Sequence, residues 1–167
     1  RRNEKIEKLL TKIAKLNDEI KFRFFIFNGN PSLGDAKLTL AIANKIKSIR
    51  PSNVDIVQYN PNIYNTWSKI KECALVLSVR LHFAVFACFA DVPFFLVEYH
   101  RKCSDFLQDV GYNEDYRIYD ANFDAEEVAI KLIEIMQGRQ PYLKPSEINL
   151  AIEKARLNFT KINYYVK

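Results

Sequence analysis

The chain has 167 residues, 49% of them apolar, and a formal net charge of +5. That length supports one domain with a substantial core, and no apolar run approaches the ~20 residues of a membrane span. Lysines and arginines are spread along the chain without a basic run. This argues against nucleic acid and leaves either a solvated basic surface or an anionic ligand or glycan partner.

Only four glycines occur, so Gly-rich nucleotide loops are scarce. Three cysteines, Cys73, Cys88 and Cys103, stand far apart with no CxxC. They read as buried thiols in a reducing compartment. The chain begins Arg1-Arg2-Asn3 without a methionine, so a preceding domain is expected.

In chain order, residues 4–18 place Ile6, Leu9, Leu10, Ile13, Ala14 and Leu16 near a 3.6 period, which predicts an amphipathic helix. Phe22 to Phe27 predicts a short buried strand. Asn28 to Asp35 is dense in turn residues. Asp35 is expected to cap a helix over 36–48 whose inner face uses Leu38, Ala41, Ile42, the Lys45 stem and Ile49. Val54 to Tyr59 predicts a strand. Asn60-Pro61-Asn62 opens a helix through Tyr64, Trp67 and Ile70.

Ala74 to Val79 predicts a strand, residues 83–90 an apolar helix, and Val92 to Val97 a second strand. Strand, helix, strand within about 30 residues is the signature of a parallel crossover. A short helix to Asp109 comes next, stopped by Gly111. Arg117 to Tyr119 is a brief extended segment. Asp124-Ala-Glu-Glu127 resembles a capping box before a helix through Val128, Leu132, Ile133 and Met136. From Ser146 a last helix carries Ile148, Ala151, Ile152, Ala155, Phe159 and Ile162. Asn158-Phe159-Thr160 is a formal glycosylation sequon that reads as chance. The fold class predicted is α/β, a doubly wound Rossmann-like domain with a parallel sheet over residues 1–167.

In such sheets ligands bind beyond the carboxyl ends of the strands. Arg80 and His82 stand at one such end. In an extended segment they share a side, and a helix beginning just after them aims its free N–H groups at the same space. A guanidinium, an imidazole and a helix N-terminus suit phosphate or carboxylate; an ordinary salt bridge and a satisfied polar histidine explain the same letters. Tyr99 and Lys102 end the adjacent strand, with Glu98 before them as a general acid or as a partner for Arg80 or Arg101. The Asn28–Asp35 loop is a third strand end. It offers backbone N–H groups and the side chains of Asn30, Ser32 and Asp35, although a plain surface turn is the favoured reading. No spacing suggests a metal site.

The run VLSVRLHFAVFACFADVPFFLVEYHRK resembles the carboxyl-terminal half of the polysaccharide pyruvyl transferase family. The features are Arg80-Leu81-His82, a helix with Ala84, Ala87 and Ala90, Val92-Pro93 entering a strand, Tyr99-x-x-Lys102, and Phe106-Leu107 up to Gly111. The family usually has Asp-Pro where this chain has His100-Arg101, and a small residue where it has Glu98.

The resemblance implies the second domain of a glycosyltransferase-B fold, facing a first domain across a cleft, with the terminal helix at 145–167 packing back on that domain. The implied reaction is pyruvyl transfer from phosphoenolpyruvate to a sugar of a polysaccharide or its precursor, with no separate cofactor. Arg80, His82, Tyr99 and Lys102 would hold the donor, and Arg80 and His82 would act in catalysis. It also implies a cytoplasmic protein, in solution or peripheral to the membrane where such precursors are made, and a fragment inactive alone. Two alternatives stay open: a domain that uses a nucleotide sugar, and a non-catalytic glycan- or phosphate-binding module.

Overall fold

A computed structural model describes residues 2–162, with side chains up to residue 157. Phe159, Ile162 and the sequon at 158–160 lie outside the described side chains. Arg1 and the end of the terminal segment, 163–167, lie outside the described residues.

The chain divides into two compact units, Arg1–Lys69 with Ala121–Pro141 and Ile70–Asp120 with Tyr142–Lys167. Both are α/β, with parallel strands joined through helices, consistent with a Rossmann-like doubly wound fold.

The first unit opens with α1 (Arg2–Leu16), which buries Ile6, Leu9, Ile13 and Ala14 along one stripe while Leu16 is exposed. Strand β1 (Phe22–Phe25) pairs in parallel with β2 (Val54–Val57), Phe22 opposite Val54. Between them runs α2 (Ala36–Ile49). Its inner face is Ile42, Ala43 and Ile46, rotated from the predicted stripe, and Leu38 is exposed. The reason is α1: Arg50 Nε donates to the Ala14 carbonyl at 2.8 Å, and Lys45 reaches out to Glu7. Next come α3 (Ile63–Lys71) and, after the second unit's strands, α6 (Ala125–Met136). Helix α6 lies on α1, where Lys12 pairs with Glu126 at 3.2 Å.

The second unit carries β3 (Val76–Ser78), β4 (Phe94–Glu98) and β5 (Ile118–Tyr119) in that order, all parallel. Every residue of β4 is buried, as expected of a strand covered on both faces. Helix α4 (Leu81–Phe89) joins β3 to β4, and α5 (Arg101–Asp109) comes after β4. Strand β5 pairs only with the last two residues of β4. Tyrosine hydroxyls serve the earlier part of that edge: Tyr112 and Tyr142 donate to the Phe94 carbonyl, and the Phe94 N–H donates to Tyr142 at 3.3 Å. This satisfies backbone groups that burial would otherwise leave costly. Burial pushes the Tyr142 hydroxyl up to about 12 and raises that of Tyr112 further. Helix α7 (Ile148–Ile162) is tied in at its start, where Ser146 and Glu147 N–H groups donate to the Gly111 and Val110 carbonyls at 3.1 and 2.9 Å.

Candidate functional site

The carboxyl ends of β3 and β4 lie side by side in register, Ser78 opposite Leu96. Neighbouring strands are about 4.8 Å apart, so the segments leaving the two strands share one edge of the sheet. Arg80 and His82 come after β3, and Tyr99, His100, Arg101 and Lys102 after β4, all of them exposed.

The junction after β3 is tighter than the sequence predicts. Helix α4 starts at Leu81, two residues early, so Arg80 is its N-cap residue and His82 sits in its first turn. The two are therefore not alternate residues of one extended run. The cause is Ser78, buried at the strand end. Its hydroxyl accepts from the Arg80 N–H at 2.9 Å and donates to the Arg80 carbonyl at 2.7 Å, which closes the turn at once. The Arg80 carbonyl then takes the N–H groups of Phe83 and Ala84 at 3.1 and 3.3 Å. No side chain caps the start of α4. Its first-turn N–H groups and positive dipole end thus face the same edge as Arg80 and His82.

The junction after β4 is closed differently, by a side-chain cap. His100 is the N-cap of α5, and its Nδ1 accepts from the Lys102 N–H at 3.2 Å. That bond assigns the imidazole proton to Nε2. Lys102 lies inside the first turn of α5 rather than before it, and Arg101 pairs with Asp105 at 3.6 Å.

Glu98 has neither of the partners expected of it. Its side chain is 2% exposed and forms a two-bond pair with Arg117, Nε to Oε1 at 2.8 Å and Nη2 to Oε2. Ser104 Oγ donates to Oε2 at 2.8 Å. Hydrogen bonding to Glu98, with Glu114 adding to it, holds the Arg117 guanidinium more firmly in its charged form. One buried carboxylate thereby ties β4 to α5 and β5. Arg117 and Ser104 escaped the sequence reading, because the pairs span 19 and six residues across different elements. The only cue was that an acid directly after a buried strand needs a cation.

The Asn28–Asp35 loop belongs to the other unit and is closed on itself. The Asp35 carboxylate accepts the Asn28 N–H at 3.0 and 3.2 Å instead of capping α2. Asn28 Oδ1 takes the Asn30 N–H at 3.0 Å, and Asn30 Oδ1 takes those of Ser32 and Leu33 at 2.9 and 2.8 Å. The Gly34 N–H goes to the Asn30 carbonyl at 2.8 Å, where a Cβ would lie 2.2 Å from that oxygen. The backbone donors expected there for a phosphate are occupied by the loop's own Asn and Asp side chains, which are short enough to bond the backbone two or three residues on.

Arg80, His82, Tyr99 and Lys102 thus share the edge of one unit, while Asn30, Ser32 and Asp35 form a self-contained turn in the other. Among the described residues no three His, Cys, Asp or Glu side chains gather as a metal would need, and no helix is long and apolar enough to cross a membrane. The edge after β3 and β4 combines the start of two helices with cationic side chains, while its acid is neutralised by Arg117.

The family model for polysaccharide pyruvyl transferase matches residues 1–101. The match takes in both junctions up to Arg101 and ends one residue before Lys102. No curated protein and no solved structure matches the chain.

Proposed function

We propose a function from one premise: the chain belongs to the polysaccharide pyruvyl transferase family. The reaction is transfer of a pyruvyl group from phosphoenolpyruvate to two hydroxyls of a saccharide, leaving a ketal. The observation that carries the donor assignment is the β3–α4 junction, where Arg80 occupies the N-cap position of a helix start that no side chain caps and His82 stands in its first turn.

Phosphoenolpyruvate brings a phosphate and a carboxylate. Arg80, with its planar fork, and the first-turn N–H groups of α4 hold one anion. The Lys102 ammonium faces the second, and Tyr99 borders it. In the reaction C3 of the enol gains a proton and C2 becomes electrophilic. One sugar hydroxyl adds to C2; the second then displaces phosphate, which leaves with the remaining proton. His82, whose imidazole can give and take a proton, is the group assigned to protonate C3. Glu98 has its oxygens engaged by Arg117 and Ser104, so it serves as a positioning residue. The acceptor meets this edge from a facing domain, in the manner of a glycosyltransferase-B cleft.

A nucleotide-sugar donor requires a carboxylate open to a ribose at the end of β4. Glu98 is buried and committed, which favours phosphoenolpyruvate. A thermal-shift comparison tests the choice. Phosphoenolpyruvate is expected to raise the melting temperature with a dose dependence set by its affinity, and UDP-glucose to leave it unchanged. Stabilisation by UDP-glucose alone would overturn the donor assignment.

A further inference from the structure

Beyond β2, in the first unit, lies a cleft of about 260 Å³ lined in part by Gln58, Tyr59, Asn60, Asn65 and Thr66. None of these residues belongs to the donor edge. We propose that this cleft is a binding subsite for a neutral saccharide, with the Tyr59 ring as its platform. The proposal deepens the pyruvyl-transfer reading and rests on it for the expectation that a saccharide is the acceptor.

Three observations carry it. The first is the seating of Tyr59. A Cβ on Gly29 would lie 2.2 Å from Tyr59 Cδ1 and 2.6 Å from both Cγ and Cε1. Distances to both ring neighbours this little longer than that to Cδ1 place the point above the ring face; beyond the edge they would be clearly longer. One face of the ring therefore rests on the Gly29 backbone, which only glycine allows. The ring is still 49% exposed, so its other face is presented outward.

The second observation is the polar lining. Gln58, Asn65 and Thr66 carry side chains that hold no hydrogen bond among the described residues, and each offers both donor and acceptor capacity or a hydroxyl. Sugar hydroxyls, which donate and accept at once, match such groups.

The third is charge. The charged residues on the lining are one acid, Asp55, and one base, Lys69. Asp55 is paired with Arg23 at 3.1 Å, and Arg23 Nη1 also donates to the Lys69 carbonyl at 3.2 Å, which ties β1 and β2 to α3. Asp55 and Lys69 stand one against one on the lining, and Arg23 is committed to Asp55 and to the Lys69 carbonyl, so no group of cations marks the lining for an anion. An aromatic face beside uncharged amides and a hydroxyl suits a ring with one apolar face and a polar rim.

The test is amide NMR on the 167-residue chain, titrated separately with the methyl glycosides of galactose, glucose, mannose and N-acetylglucosamine into the millimolar range. At least one is expected to shift the side-chain amide signals of Gln58 and Asn65. Tyr59→Ala is expected to weaken that glycoside by about tenfold or more, a loss of roughly 1.4 kcal/mol, and Tyr59→Phe to bind like the parent. Should Tyr59→Ala fail to fold, Asn65→Leu, at an exposed position of α3, removes one of the lining amides instead. Shifts by none of the glycosides, or equal binding after loss of the ring or of Asn65, would overturn the proposal. Phosphoenolpyruvate titrations of the same samples read the donor edge separately, so failure here is distinguishable from failure there.

Discussion

Arg80 shows how much one hydroxyl can decide. The letters Arg-Leu-His suggest two side chains on one side of a strand. Ser78 turns the backbone early, and the same letters become an N-cap and a first-turn histidine. The residue types were legible in the sequence; their geometry was not, because it depends on a serine read as part of the strand. Glu98 is the converse case. Its position announced something unusual, but its partner Arg117 comes from beside β5, and pairing across strands cannot be read from spacing alone. Removing Glu98 leaves the largely buried Arg117 charge with only the exposed Glu114 as its ion-pair partner. Glu98→Ala is therefore expected to lower unfolding free energy by about 3 kcal/mol, measured by urea denaturation. A change well under about 1 kcal/mol would mean that the pair holds nothing together.

At the scale of elements, the helix starts explain why the second junction tolerates its departure from the family pattern. Asp-Pro is a favourable opening for a helix, an N-cap acceptor followed by a residue with preset φ. His100-Arg101 keeps the first property, because Nδ1 accepts the Lys102 N–H. The helix ends were easier to foresee. Gly111 and Gly138 have φ of 65° and 68° and close their helices with paired bonds back to the preceding turn. Asp91 takes the same role at the end of α4 with φ 59°. The two glycines differ in surroundings. A Cβ at Gly111 would meet Ser146 Oγ at 2.3 Å, whereas one at Gly138 meets nothing within 4 Å. Gly138→Ala is expected to cost about 1 kcal/mol from backbone strain alone, and Gly111→Ala clearly more, because the start of α7 must move. Equal losses in paired thermal melts would contradict this.

The start of α6 adds a pH dependence. Asp124 accepts the N–H groups of Glu127 and Glu126 at 3.0 and 2.7 Å, and these bonds hold its carboxyl below the ordinary 3.8. A depressed folded value means that the unfolded chain takes the proton first. The stabilisation is complete above 3.8 and is lost as pH falls through the lower folded value. Asp124→Asn keeps a capping oxygen without the charge. Its melting temperature is expected to fall less steeply than the parent's below that pH, and parallel curves would refute the assignment. The cap at Asp124 was visible in the sequence because it is local, although Glu127 does not complete a box by bonding back to it. The inner face of α2 was misplaced because α1, which sets it, is a tertiary partner.

For the molecule as a whole, the alternation of strands and helices was legible throughout, since each crossover leaves its own hydrophobic run and breaker. The division into two compact units was not, because α6 returns to the first unit only after the second unit's strands are complete. Within the second unit, parallel strands put two helix starts and their cations on one edge, and burial of Glu98 against Arg117 removes the acid that would oppose an anion there.

The central claim is that this edge holds phosphoenolpyruvate, and calorimetric titration of the parent chain beside Arg80→Ala and Lys102→Ala tests it most directly. The expected result is saturable binding by the parent, weakened about tenfold or more in Arg80→Ala, as loss of a charge-assisted contact implies, and weakened less in Lys102→Ala. Absence of binding by the parent, or equal affinity in all three proteins, would contradict the claim.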